Sequence, residues 1–236
     1  MELSLDTSTA TAGVAVSKEG RVLAGIAWRA GYSHTLQLYP AIEQALKLAG
    51  TSVSEITHVI VACGPGTFSG LRVGVSAAKG FALARDLPLA AVSTMAVEAY
   101  PFMGCGLPIR PILDGGRGEL AVGSFRESPE GLVESAPVTV LTLAALIEGT
   151  RVPTLFCGER LPEVAAELGG LGPLAVIPPF AAAIRRPGAL AELGWRRIQA
   201  GQLEDLATLQ PTYLRAPTIT PPKPRVAVRP GKEKGA

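Results

Sequence analysis

Apolar residues along this chain fall into two kinds of run, and the two kinds alternate. Short β-branched or leucine-rich runs at Glu2 to Thr7, Thr11 to Ser17, Arg21 to Trp28, His58 to Ala62 and Leu87 to Val92 have the length of strands. The second and third are joined through Lys18-Glu19-Gly20, which reads as a hairpin. Leu38, Tyr39, Ile42, Ala45, Leu46 and Ala49 repeat instead at helical spacing, between Ser33, a candidate N-cap, and Gly50, a helix stop. Pro40 is expected to kink that helix or delay its regular start.

Past Gly104-Cys105-Gly106 the order starts again. Ile109 to Leu113, Glu119 to Phe125 and Leu132 to Val138 read as strands, Leu141 to Ile147 as a helix, Thr154 to Cys157 as a strand and Leu161 to Leu168 as a helix. A βββαβα pattern used twice predicts an α/β chain with two duplicated subdomains, residues 1–103 and 104–215. The Gly/Pro-rich segment Gly169 to Pro179 connects to a last helix, Pro187 to Ala200, with Trp195 and Ile198 facing inward. Residues 216–236 hold five prolines and five Lys or Arg against Glu233, the composition of a basic disordered tail.

The segment around which the first half is organised runs from Gly64 to Ala84. It follows the strand His58 to Ala62 and reads as a glycine turn and then a proline-free helix. Glycines inside a helix cost about 1 kcal/mol each relative to alanine. Gly70 and Gly74 continue at four-residue spacing into Ala78, a stripe nearly free of side chains against which a backbone, a flat ligand or a partner helix can lie closely. Gly66 and Gly70 also suit a turn that offers N–H groups to an anion. No Lys-Ser or Lys-Thr follows the last glycine, which excludes a Walker P-loop.

Composition narrows the function classes. With 236 residues and 47% hydrophobic content the chain can bury a sizeable core. The net charge is +2, and because the tail carries much of the basic excess, the body lacks the broad positive field that RNA binding by itself would favour. Cys63, Cys105 and Cys157 are odd in number and widely spaced, which suits a reducing compartment. No secretory leader pattern opens the chain and no long apolar run crosses it, so a cytoplasmic protein without membrane attachment is expected.

Catalytic chemistry is sparse. His34 and His58 are the two histidines, neither has an acid at a motif spacing, and each reads first as a capping or surface residue. Asp6-Thr7-Ser8-Thr9 and Asp114-Gly115-Gly116-Arg117-Gly118-Glu119 occupy matching turns of the two halves. Taken alone, such residues are turn formers.

Taken together, Leu5-Asp6-Thr7-Ser8-Thr9, Ser33-His34-Thr35, Gly64 to Ala84 and Pro211-Thr212-Tyr213-Leu214-Arg215 resemble the TsaB (YeaZ) family of bacterial tRNA threonylcarbamoyladenosine biosynthesis proteins. The resemblance reaches to about Arg215 and is strongest over the first hundred residues. It implies an actin-like ATPase (ribonuclease H-like) fold and a non-catalytic scaffold subunit, paralogous to the transferase TsaD, that pairs with TsaD and the ATPase TsaE. On that reading tRNA is met through the complex, ATP or ADP and metal belong to the partner subunits, and the isolated chain forms a homodimer. The interface would be Leu38, Tyr39, Ile42 and Leu46 of the first long helix with Gly70, Val73, Gly74, Ala77 and Ala78 of the second. Asp6, Thr7, Ser8 and Asp114 would be the remains of two phosphate loops facing each other across a cleft. Where TsaD carries a metal-binding His-x-x-x-His pair, this chain has Thr94 and Glu98, a poor donor set, and no metal site is expected. The rival reading is a self-sufficient actin-like ATPase or small-molecule kinase built on Asp6 and Asp114.

Overall fold

The computed structural model describes residues 1–215 apart from Tyr32, so the expected tail lies outside the described residues. The first half contains β1 (Glu2–Asp6), β2 (Thr11–Lys18), β3 (Arg21–Arg29), α1 (His34–Leu48), β4 (His58–Gly64), α2 (Phe68–Arg85), β5 (Leu89–Ser93) and α3 (Thr94–Ala99). The second contains β6 (Ile109–Gly116), β7 (Glu119–Ser128), β8 (Gly131–Leu141), α4 (Leu143–Gly149), β9 (Thr154–Cys157), α5 (Leu161–Gly169) and β10 (Ala175–Val176), and α6 (Pro187–Gln199) follows.

The strands form two five-stranded sheets, ordered β3-β2-β1-β4-β5 and β10-β9-β6-β7-β8. In each, an antiparallel meander lies beside a parallel strand reached through a helix, so the second sheet repeats the first. This is the expected duplicated actin-like architecture. The central strands are buried on both faces, which is why they read as nearly continuous apolar runs. In β4, Val59 and Val61 face the core under α1 and α2, and Ile60 and Ala62 face the core under α6. In the second sheet Ile109 and Leu113 pack with Met95 and Ala99 of α3, while Ile112 and Val122 pack with α4 and α5.

Local chemistry closes the first hairpin. Glu19 and Gly20 both take positive φ (53° and 75°), the conformation a two-residue turn demands. The buried Glu2 carboxylate accepts from Ser17 Oγ (2.6 Å) and from the Glu19 and Gly20 N–H groups. At α1 Ser33 stands at the expected N-cap position, though its hydroxyl makes no capping bond, and the helix includes Pro40.

The expected boundary is corrected. Residues 187–212 do not belong with the second sheet, because α6 packs across β1, β3 and β5 of the first, and Leu214 and Arg215 return to the second half. Gly194 allows this by lying against Ile60, Leu209 enters the first core, and the Thr212 N–H donates to the Cys63 carbonyl (2.7 Å). Trp195 stacks edge-on against His58 with ring centroids 6.0 Å apart, and Ile198 packs on the core beneath α6.

Candidate functional site

The β1–β2 turn meets α2 where the halves face each other. The Thr7 hydroxyl donates to the Gly70 carbonyl (2.7 Å), and a Cβ at Gly74 would lie 2.5 Å from Thr7 Oγ1. Cβ atoms at Gly66 and Gly70 would overlap the carbonyl oxygens of Ser8 and Thr7. The small-residue stripe therefore seats the chain's own β1–β2 turn.

This corrects the expected partner surface. Leu38, Ile42, Leu46, Ala77 and Ala78 are buried in the first core, and Gly70 and Gly74 are buried with them. Their side of each helix faces the sheet because apolar spacing places it there. Of the nine residues, Tyr39 (53% exposed) and the half-buried Val73 reach the surface. Leu36 and Leu83, at 79% and 67%, are exposed on the same two helices and are absent from the expected set. Tyr39 lies 6.2 Å from Phe81, so the outer surfaces of α1 and α2 meet there.

Between the halves lies a cleft of ≈ 590 Å³. Phe68 and Ser69 line one wall, Asp114, Gly115, Glu159 and Arg160 the other, and Tyr213 and Arg215 stand at its rim. Glu159 crosses it, accepting from Thr11 Oγ1 (3.1 Å) and pairing with Arg29 (3.7 Å). Phe68 and Tyr213 stack at 5.0 Å, with the Arg72 guanidinium 3.9 Å over the Phe68 ring. Arg215 pairs with Glu119, tying the last described residue to the second half.

The four candidate phosphate residues are not brought together. Asp114 lines the cleft, half exposed, accepting from the Gly116 N–H (3.0 Å) and lying 3.7 Å from Arg160. Asp6, Thr7 and Ser8 are buried beneath the cleft. The reason is Arg185, a residue to which the sequence gives no pointer. Its Nη1 donates to both Asp6 oxygens (3.1 and 2.9 Å) and to Ser8 Oγ (2.6 Å), while Nε and Nη2 donate to Glu98 Oε1 (3.2 and 2.5 Å). Ser8 in turn donates its hydroxyl (2.6 Å) and its N–H (2.9 Å) to Asp6. Burial alone would pull Arg185 down, but the carboxylates of Asp6 and Glu98 outweigh it and hold the guanidinium above its ordinary value. Burial pushes the Glu98 carboxyl up, further than Arg185 draws it down.

Other chemistry is held in structural roles. His34 is buried and its Nε2 donates to the Thr9 carbonyl (2.7 Å), so it fastens the β1–β2 turn to α1. His58 meets the Thr57 hydroxyl at 3.0 Å. Burial pushes the Cys63 and Cys157 thiols up, the opposite of what a thiolate nucleophile needs. Among the described residues no three His, Cys, Asp or Glu side chains are grouped to hold a metal ion. Nor is any described helix long and apolar enough to cross a membrane.

Comparison with known proteins agrees with the duplicated sheet. The tRNA threonylcarbamoyladenosine biosynthesis protein TsaB of Bacillus subtilis (strain 168) is 30% identical over 226 residues, 90% of this chain and 93% of that protein. The chain belongs to the TsaB family. The same-named protein of Escherichia coli K12 is 35% identical over 97 residues, 41% of this chain and 42% of the relative. The family model for TsaD, described as tRNA N6-adenosine threonylcarbamoyltransferase, matches residues 28–161, which fits a paralogue. YeaZ from Pseudomonas aeruginosa superposes with a TM-score of 0.73 at 24% identity, covering 90% of this chain and 99% of that one, and shows the common fold.

Proposed function

We propose that this chain is the non-catalytic scaffold of the machinery that installs N6-threonylcarbamoyladenosine at position 37 of tRNAs reading codons that begin with A. It acts in the cytoplasm, pairs with the transferase TsaD and the ATPase TsaE, and meets tRNA through the assembly. Nucleotide and metal are contributed by the partners. The observation that carries this reading is the closed Asp6–Arg185–Glu98 network. A magnesium nucleotide entering the cleft would need a free carboxylate at Asp6, and a guanidinium already occupies it. The same observation weighs against a standalone kinase.

The surface that supports pairing is the outer side of α1 and α2, where Leu36, Tyr39 and Leu83 are exposed. We place both TsaD and, in its absence, a second copy of this chain on that surface.

Calorimetric titration of the isolated chain with magnesium ATP tests whether the chain uses a nucleotide of its own. No binding is expected at millimolar nucleotide, and saturable one-to-one binding in the micromolar range would overturn the scaffold reading.

A further inference from the structure

Two buried carboxylates converge on one side chain in this protein. Asp6 and Glu98 are 1% and 5% exposed, and the Arg185 side chain between them is 2% exposed. Isolated buried carboxylates are costly, and a pair that shares one site takes up a proton unless a cation lies between them. Arg185 supplies it with five hydrogen bonds to three residues. The oxygens it binds are those a hard divalent cation takes, two carboxylates and the Ser8 hydroxyl. One helical turn before Glu98, the fully buried Thr94 hydroxyl has no hydrogen-bond partner among the described residues.

Arg185 also arrives from a distance. It lies where the chain leaves the second sheet and crosses back to the first to begin α6. Its neighbours Phe180 and Ile184 are 55% and 60% exposed, so packing by those residues holds this crossover weakly. The guanidinium is the buried anchor.

We propose that Arg185 is a tethered counter-cation, filling from within the chain a cation site formed by Asp6, Ser8, Thr94 and Glu98 and pinning the crossover to the first half. The protein therefore needs no metal at this position, and removing the guanidinium uncovers a site for a small cation. A divalent metal ion or a free guanidinium then restores what the side chain supplied. This inference does not depend on the tRNA-modification reading, because its readout is the fold.

Thermal unfolding of the full chain tests it, with and without millimolar Mn²⁺ or methylguanidinium. Wild type is expected to show no shift with either. Arg185→Ala is expected to unfold about 10 °C lower, since one partner of a buried ion pair has been removed, and to regain much of that loss with either cation in a saturable manner. The neutralised variant Asp6→Asn/Arg185→Met/Glu98→Gln is expected to fold without cations and to gain nothing from them. If Arg185→Ala yields no folded protein, Arg185→Lys takes its place. Its single ammonium reaches one carboxylate, so an intermediate midpoint and a smaller gain are expected. An Arg185 variant that melts with wild type would overturn the proposal. So would a cation gain equal in wild type or in the neutralised variant, because the ions would then be binding elsewhere.

Discussion

Gly70→Val is expected to leave little folded protein. A Cβ at this position overlaps the Thr7 carbonyl oxygen and approaches Thr67 Oγ1 to 2.6 Å. The first obstacle is backbone, so it has no rotamer into which to retreat. Overpacking of this kind costs about 1–3 kcal/mol or more. Moving the turn away also breaks the buried Thr7–Gly70 hydrogen bond, worth about 1–3 kcal/mol when the partners are left unsatisfied. The sum is a large part of a typical domain's stability of about 5–15 kcal/mol. Gly80, four residues beyond Ser76 on the same helix, is the contrasting position. It is exposed and a Cβ added there would meet nothing within 4 Å, so Gly80→Ala should stabilise by about 0.5–1 kcal/mol. Urea midpoints measure both. A Gly70→Val protein within about 1 kcal/mol of wild type would mean that the turn does not sit on the helix.

Tyr39→Asp combined with Leu83→Asp is expected to act in the opposite way, leaving the fold intact and removing the assembly. Both side chains are more than half exposed, so the isolated chain should keep its urea midpoint within about 1 kcal/mol. Two carboxylates desolvated in the middle of an apolar contact should weaken TsaD binding by roughly 100-fold or more. The homodimer proposed for the isolated chain should be lost with it. Substitutions at Leu38, Ile42 or Gly74 cannot make this distinction, because they would damage the core first. Unchanged TsaD affinity in the double variant would move the interface away from α1 and α2.

Much of this fold is legible in the sequence because its strands are short, apolar and separated by amphipathic helices. The repeat of that order in the second half betrays the duplication. The stripe Gly70-Gly74-Ala78 is equally visible, but spacing reports only that something lies close, and a turn of the same chain satisfies it as well as a partner does. The inward face of α1 misleads for a related reason. Leu38, Ile42 and Leu46 form the apolar face of an amphipathic helix whether that face meets its own sheet or another molecule. Leu36 and Leu83 carry the surface signal, and it consists in their lying off the periodic face. Arg185 leaves no trace, since Ile184-Arg185-Arg186 is irregular and its carboxylate at Asp6 is 179 positions away. Thr94 and Glu98 are recognisable as a poor substitute for a His pair, yet the reason Glu98 tolerates burial is found only in three dimensions. The displaced boundary follows from α6, whose sequence position says second half and whose apolar face fits the first sheet.

The most direct test of a required but non-catalytic subunit is modification of an unmodified tRNA reading ANN codons by purified TsaD, TsaE and a threonylcarbamoyl-AMP synthase. The reaction is run without this chain, with it, and with its Asp114→Ala variant, which removes the acidic side chain that lines the cleft. Product is expected only when the chain is present, with the same yield from Asp114→Ala as from wild type. Full modification without the chain would contradict its requirement, and loss of product with Asp114→Ala in an assembled complex would mean that the cleft takes part in the chemistry.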